Sequence, residues 1–394
     1  MRTSASPLVL AVALAFPAAH AEEPSTLGTV SVTAKGYAAD DLETPLSTTS
    51  LDRTELLRRN AQNLGEALRG EPGLAVASDG AQGQNPVIRG LKKESVVLLV
   101  DGMRVNSAQP QGAIASFMTL GLADRVEVVK GPTSVLYGTG ALGGAINLRL
   151  PQASFEPGVG AEATAAYDGS SNGLRGSTLA KAAQGDHALM VGASVARIGD
   201  YSSPNGKEAL TGYDSDALIG QYRFRIDAAQ QLRVSVQQQV DTDVWYPGSK
   251  KAHPVAPAVV GNTIVHSPRQ ERQLLEAGYN RKGSGATPLN LDLRAYRQSV
   301  ERQIWSFSDK QNAEKAKTRV TFATDGADAR AEWLLNPQHL LSFGANAWRM
   351  TASPERYIAA APAGSALLRN DPFNNGRIDA FGIFVQDDMR FGKL

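Results

Sequence analysis

The sequence holds 394 residues with 40 Lys and Arg against 39 Asp and Glu, a net charge of +1, and no cysteine. The missing cysteines exclude disulfides, thiolate nucleophiles and Cys-ligated metals, and the balanced charge leaves no basic excess for nucleic acid. Past the N-terminus no run reaches the roughly 18 apolar residues of a transmembrane helix, so any membrane role falls to strands, whose alternation hides hydrophobicity from an averaged scale.

Residues 1–21 read as an export signal. Arg2 is the positive n-region, Pro7–Phe16 the apolar h-region, and Ala19-His20-Ala21 the small-x-small cleavage pattern. The mature chain is expected to start at Glu22. Residues 22–41 follow as an extended, flexible tail. It contains Thr29-Val30-Ser31-Val32-Thr33-Ala34, a β-branched segment between Gly28 and Gly36. Such a segment has strand propensity. Two readings are open from composition: an edge added to another protein's sheet, or the first strand of the next domain.

Residues 42–151 read as a compact α+β unit. Asp52-Arg53-Thr54-Glu55 has capping-box form, with Asp52 as N-cap, Glu55 reaching back, and Leu56 and Leu57 as an apolar side. Asn63-Leu64-Gly65-Glu66 repeats the form, and Gly70 with Pro72 ends that helix. Strands are expected at 73–78, 85–89, 95–100, 125–130 and 145–150. Asp101-Gly102 and Gly131-Pro132 stop two of them. Gly138, Gly140, Gly143 and Gly144 mark tight turns or close backbone approach.

From 152 to 394 the segments lengthen to about ten residues and alternate, as in a transmembrane barrel wall. Tyr222, Phe224 and Ile226 fall on one face, with Arg223 and Arg225 on the other. Leu232, Val234 and Val236 alternate with Arg233, Ser235 and Gln237. Leu341, Phe343, Ala345 and Ala347 alternate with Ser342, Gly344 and Asn346. A soluble antiparallel sheet has the same period. The charged polar faces favour a wet lumen, and so does the mixture of short connectors (228–230, 336–338) with a long one (241–269). Eleven strands are expected: 160–168, 173–182, 187–198, 217–227, 231–240, 272–281, 291–300, 317–324, 327–335, 339–350 and 378–391. A barrel enclosing a folded plug needs about 22. The expectation is therefore about half a wall, from a truncated product or a fragment.

Taken together, these residues resemble the N-terminal half of the TonB-dependent outer-membrane receptors. The likeness rests on Val87-Ile88-Arg89-Gly90, Val100-Asp101-Gly102, Val126-Glu127-Val128-Val129-Lys130-Gly131-Pro132, and Leu136-Tyr137-Gly138 with Gly143-Gly144-Ala145-Ile146-Asn147. The resemblance implies an α+β plug inside an antiparallel transmembrane β-barrel of a Gram-negative outer membrane. It also implies that residues 29–34 are a TonB box, pairing by strand addition with TonB and its inner-membrane motor. Arg89, Glu127 and Lys130 are the expected plug–barrel charges.

The family takes up scarce metal complexes, and the expected cargo is haem, with a ferric siderophore as the alternative. Arg104 and Gln109 in the plug loop, and Trp245, Tyr246, His253 and His266 in the long connector, are the expected ligand-binding residues. Imidazole and phenolate are suitable axial ligands for haem iron, and aromatics stack on the macrocycle. Met103 and Met118 raise a copper reading beside a packing one. No resident cofactor or metal is expected, and outer-membrane lipid is the remaining partner. A non-transporting adhesin and a barrel enzyme are the rival classes. No Ser-centred glycine elbow or His-Glu-x-x-His pattern supports an enzyme.

Overall fold

The apolar runs that end at Asp101-Gly102 and Gly131-Pro132 become the centre of a five-stranded sheet. The computed structural model describes residues 30–31, 39–40, 46–78, 80–106, 114–138, 140–246, 263–308, 313–359, 365–373 and 375–389. The expected signal at 1–21, Thr29, residues 32–34, Gln109 and His253 lie outside the described residues.

In chain order, β1 (Val30–Ser31) pairs with β2 (Ala39–Asp40) in an antiparallel two-strand unit. β3 (Ser47–Asp52), α1 (Arg53–Arg59), α2 (Leu64–Ala67), β4 (Leu74–Ser78), β5 (Gln84–Ile88) and β6 (Leu91–Lys92) follow. Then come β7 (Val96–Val100), β8 (Met103–Arg104), β9 (Arg125–Lys130), α3 (Ser134–Tyr137) and β10 (Gly144–Arg149). The central sheet has the order β3-β9-β10-β7-β8, with β7 and β10 parallel, and β4-β5-β6 forms a separate meander. β7 is buried along its whole length, which is why it reads as a continuous apolar run and not an alternating one.

The helix starts follow the sequence with two changes. Asp52 accepts the Glu55 N–H at 2.8 Å, but the Glu55 carboxylate turns to Arg58 and Arg59 and does not reach back. Those two guanidiniums hold it at about 2, well below the usual carboxylate range. Leu56 is buried, whereas Leu57 is half exposed, because a seven-residue helix on a sheet edge covers only one stripe. Asp101 and Gly102 both adopt left-handed backbone (φ 50° and 79°), giving the two-residue turn that folds β8 back on β7. Gly144 has φ 138°, and a Cβ there would lie 2.0 Å from the Val129 carbonyl oxygen.

The wall is one antiparallel sheet. It contains β11 (Gly158–Asp168), β12 (Gly173–Gln184), β13 (His187–Ile198), β16 (Tyr213–Arg225), β17 (Gln230–Tyr246) and β18 (Thr263–Arg281). It continues through β19 (Leu289–Ser308), β20 (Ala313–Asn336), β21 (His339–Ala359), the short β22 (Leu367–Arg369) and β23 (Gly376–Met389). β14 (Ser202–Ser203) and β15 (Gly206–Lys207) form a hairpin in the connector after β13. The two strands expected at 317–324 and 327–335 are one strand, β20. Asp325-Gly326 is no turn; the Tyr296 ring lies over Gly326 so closely that a Cβ there would sit 2.3 Å from it. The connector expected over 241–269 is shorter, since β17 runs on to Tyr246 and β18 begins at Thr263.

The alternation has the sense of a barrel. Leu232, Val234 and Val236 are 43%, 43% and 53% exposed, while Ser235, Gln237 and Gln239 between and beyond them are 1–3% exposed against the plug. Phe381, Ile383 and Val385 of β23 are 68–75% exposed on the same outer face. The plug core continues into the inner face through Leu179, Met190, Ile219 and Phe322. No helix among the described residues is long and apolar enough to cross a membrane, which leaves strands free to do so.

One outcome is expected. Gly144→Ala forces a left-handed backbone and a steric overlap together, a loss of about 3 kcal/mol or more; urea unfolding followed by plug proteolysis should show it, and an unchanged midpoint would contradict the placement.

Candidate functional site

The seam between plug and wall is built from side chains that meet backbone. Two plug segments, Asp101–Asn106 and Ile114–Thr119, lie against β17, β18 and β19. Gln298 accepts the Asn106 N–H at 3.3 Å and donates to the Arg104 carbonyl at 3.3 Å. Gln239 accepts the Thr119 N–H at 3.0 Å and donates to the Ser116 carbonyl at 2.7 Å. A carboxamide has one acceptor and one donor end, so each glutamine satisfies a peptide edge as a neighbouring strand would.

Arginines fix the remaining carbonyls. Arg272 donates to the Phe117 carbonyl at 3.0 Å and to Gln237 at 3.0 Å. Arg294 donates to the Asp101 carbonyl at 2.8 Å while paired with Asp328 at 2.7 Å. Arg302, 1% exposed, donates to the Ser116 hydroxyl at 3.0 Å and to Gln270 at 2.9 Å, and its guanidinium lies 4.7 Å from the centre of the Phe117 ring. Asp101 lies under this layer. Its carboxylate accepts the Leu150 N–H at 3.0 Å, and burial pushes its pKa up.

The helical half of the plug meets β11 and β12 differently. Arg175 donates to the carbonyls of Asn60 and Ala61 and to the Asn60 side chain. Gln62 donates to Asp168 at 2.5 Å, and Arg53 pairs with Glu162 at 2.6 Å near solvent. A cavity of about 450 Å³ lies between this half and the wall, lined by Leu56, Gln62, Met118, Tyr213 and Asp241 among others. A second, of about 500 Å³, lies between Asp101–Arg104 and β17–β21, lined by Arg104, Arg149, Glu276, Arg294 and Tyr296 among others.

Among the described residues, the expected ligand-binding residues Arg104, Trp245, Tyr246 and His266 lie apart. Tyr246 faces inward but is buried among Tyr213, Val244 and Val265, and its hydroxyl meets the Gln270 amide at 3.3 Å. Trp245 and His266 stack on each other at 4.0 Å on the outer face, away from the lumen. Asp243 explains the split. Its left-handed backbone (φ 58°) breaks the alternation, so the buried set passes from Asp241 to Val244 and Tyr246. Arg104 lines the second cavity.

Of the three expected plug–barrel charges, Lys130 donates to the plug's own Pro72 carbonyl at 2.8 Å, and burial lowers its pKa. Arg89 lies over Gly73 and Gly131 beside it, and Glu127 is buried within the plug sheet between Ser50 and Asn147. The hydrogen bonds to the wall described above come instead from other residues, and Gln237, Gln239, Gln298, Arg272 and Arg302 had only their inward phase in the strands to mark them. Met103 and Met118 are 1% and 2% exposed, Met103 packed on Leu274 and Tyr296 and Met118 in the main core. Among the described residues no cluster of metal ligands forms.

Residues 40–145 match the family model of the TonB-dependent Receptor Plug Domain. A "Hemin receptor" of Yersinia pestis is 26% identical over 376 residues, covering 89% of this chain and 53% of that protein. A "Vitamin B12 transporter BtuB" of Vibrio vulnificus is 38% identical over 131 residues, covering 33% of this chain and 22% of that protein. Among solved structures, "Copper transporter OprC" superposes with a TM-score of 0.73 at 18% identity, over 87% of this chain and 51% of that one, a likeness of fold. The chain thus spans about half the length of the hemin receptor it matches.

Asp101 is the testable keystone of the turn. Asp101→Ala removes a residue that tolerates the left-handed region and leaves the Leu150 N–H unmatched, a loss of about 2–4 kcal/mol. Asp101→Asn keeps both features and should lose under about 1 kcal/mol. Equal losses in urea unfolding would contradict this role.

Proposed function

The chain carries the plug of a TonB-dependent outer-membrane receptor on part of that family's barrel wall, and on that premise we propose that it serves in the energised uptake of haem. The observation that carries this reading is the extent of the likeness to hemin receptors: 89% of the chain, plug and wall together. A plug alone is common ground among receptors for different cargo, whereas the wall and its connectors shape the outer vestibule.

Energy has to arrive mechanically, since no nucleotide is at hand in the outer membrane. The segment at 29–34 is the handle in this reading. Val30–Ser31 already adopts strand geometry in a two-residue pairing, short enough to exchange for an edge of TonB. With Tyr246 sealed and His266 turned outward, His253 is the remaining axial-ligand candidate in that connector. Arg104 lines the second cavity, which lies toward the short β18–β19 connector and away from the 247–262 connector, so it lends this cargo no support. A ferric siderophore, an anionic chelate, is the second reading.

The test uses a haem-auxotrophic, TonB-containing host. Haemin should support growth, and deletion of 30–34 should abolish growth while surface binding of haemin remains. Growth that survives the deletion would overturn the coupling role; growth on ferric siderophore but not haemin would overturn the cargo.

A further inference from the structure

The plug is joined to the wall by residues 150–157, which run from the end of β10 to the start of β11. This segment is held at two points. At the plug end, the Leu150 N–H donates to the Asp101 carboxylate at 3.0 Å. At the wall end, Ala153 is fully buried and β16 takes both polar groups of its backbone. The Ala153 N–H donates to Gln221 Oε1 at 2.7 Å, and its carbonyl accepts from the Arg223 guanidinium at 2.6 Å. Phe155 follows, with the guanidiniums of Arg225 and Arg223 4.3 Å and 5.2 Å from its ring centre. Arg223 is fixed in turn. It donates to Gln231 at 2.6 Å, Gln231 donates to Asn280 at 3.2 Å, and Asn280 donates to Asp292 at 3.3 Å, a line of hydrogen bonds across β17, β18 and β19.

Register places this clamp relative to the next covalent attachment. Gly158 lies opposite Ala183, Ala183 opposite Ala188, and Ala188 opposite Arg223. Arg223 and the start of β11 therefore share one transverse row, three strand spacings apart, which is about 14 Å at ~4.8 Å each. The chain from 153 to 158 can span about 17 Å when fully extended. The strap is nearly taut, and the small side chains of Ala183 and Ala188 leave it room along the row.

These lengths set how far the plug can travel. From Leu150 to Ala153 the chain reaches about 10 Å, so a closed clamp keeps the tip of β10 that near to β16. With the clamp open the lead runs from Leu150 to Gly158, about 28 Å, and swings from β11 instead. The first arrangement is a hinge on the wall; the second is a domain on a loose tether.

We propose that Gln221 and Arg223, with Phe155 seated against Arg225, form a pivot that keeps the last plug strand on the wall while the rest of the plug is displaced during uptake. The use of the pivot rests on the energised-uptake reading, whereas the attachment itself needs neither cargo nor TonB. Because the clamp takes the backbone of residue 153, Gln221 and Arg223 are positioning residues and not cargo ligands.

Two measurements separate the attachment from its use. In the purified chain, hydrogen exchange of the 150–157 segment should speed by about tenfold or more when Gln221→Ala is combined with Arg223→Ala, with the segments around Asn106 and Thr119 unchanged. Arg223→Lys keeps a donor for the Ala153 carbonyl and should stay within about threefold of the unaltered chain, whereas Arg223→Leu should not. Unchanged exchange in the double variant, or equal exchange in the Lys and Leu variants, would overturn the attachment. In the TonB-containing host, Ala153→Cys and Gln221→Cys are joined by a short, cleavable thiol cross-linker, which the absence of other cysteines makes selective. Cross-linked protein should take up haemin as the unaltered protein does. Uptake lost on cross-linking and regained on cleavage would mean that the strap has to leave the wall, and would overturn the pivot. No uptake by the unaltered protein would overturn the uptake reading instead, and the exchange measurement then decides the attachment by itself.

Discussion

Polar groups that β17, β18 and β19 turn inward are matched largely by plug backbone and by one another, because the plug displaces the water that would otherwise match them. A buried amide or guanidinium without a partner costs a few kcal/mol. The seam meets that constraint with glutamines and arginines that take plug carbonyls and N–H groups directly. Gln239, Gln298, Arg272 and Arg302 therefore do two jobs. They make the inner face of the wall compatible with a filled lumen, and they fix the plug segments that end at Asn106 and begin at Ile114.

The same constraint explains why the two halves of the plug differ. The sheet half docks by buried hydrogen bonds in which neutral amides predominate. The helical half docks through Arg53, Gln62 and Arg175 closer to solvent, beside a cavity. Exposed ion pairs contribute about 0–1 kcal/mol each, so the strong attachment lies on the β17–β19 side. β3, the first strand of the plug sheet in the chain, is one of its two edges.

Much of this architecture was legible in the sequence. Asp101-Gly102 marked the end of a strand, and the two-residue turn it makes into β8 follows from left-handed backbone at both positions. The run Val96–Val100 marked a buried central strand, and Leu232, Val234 and Val236 marked the lipid face. What failed did so locally. Asp325-Gly326 reads as a strand break, yet a glycine under an aromatic ring extends a strand instead. Trp245 and His266 read as residues of a long connector, yet they lie in β17 and β18, where one left-handed Asp243 sends them outward. The seam itself was hidden, because a glutamine in a wall strand shows its direction but not the backbone group it will meet across the lumen.

The central claim is the sense of the wall: apolar residues to lipid, polar residues to the plug. The chain has no cysteine, so single cysteines can be placed one at a time along β17 without background. Labelled with a small fluorophore in bilayers containing brominated lipid, positions 232, 234 and 236 should be quenched, and 235, 237 and 239 should not. A reversed pattern, or quenching that does not alternate, would contradict the plugged-barrel account.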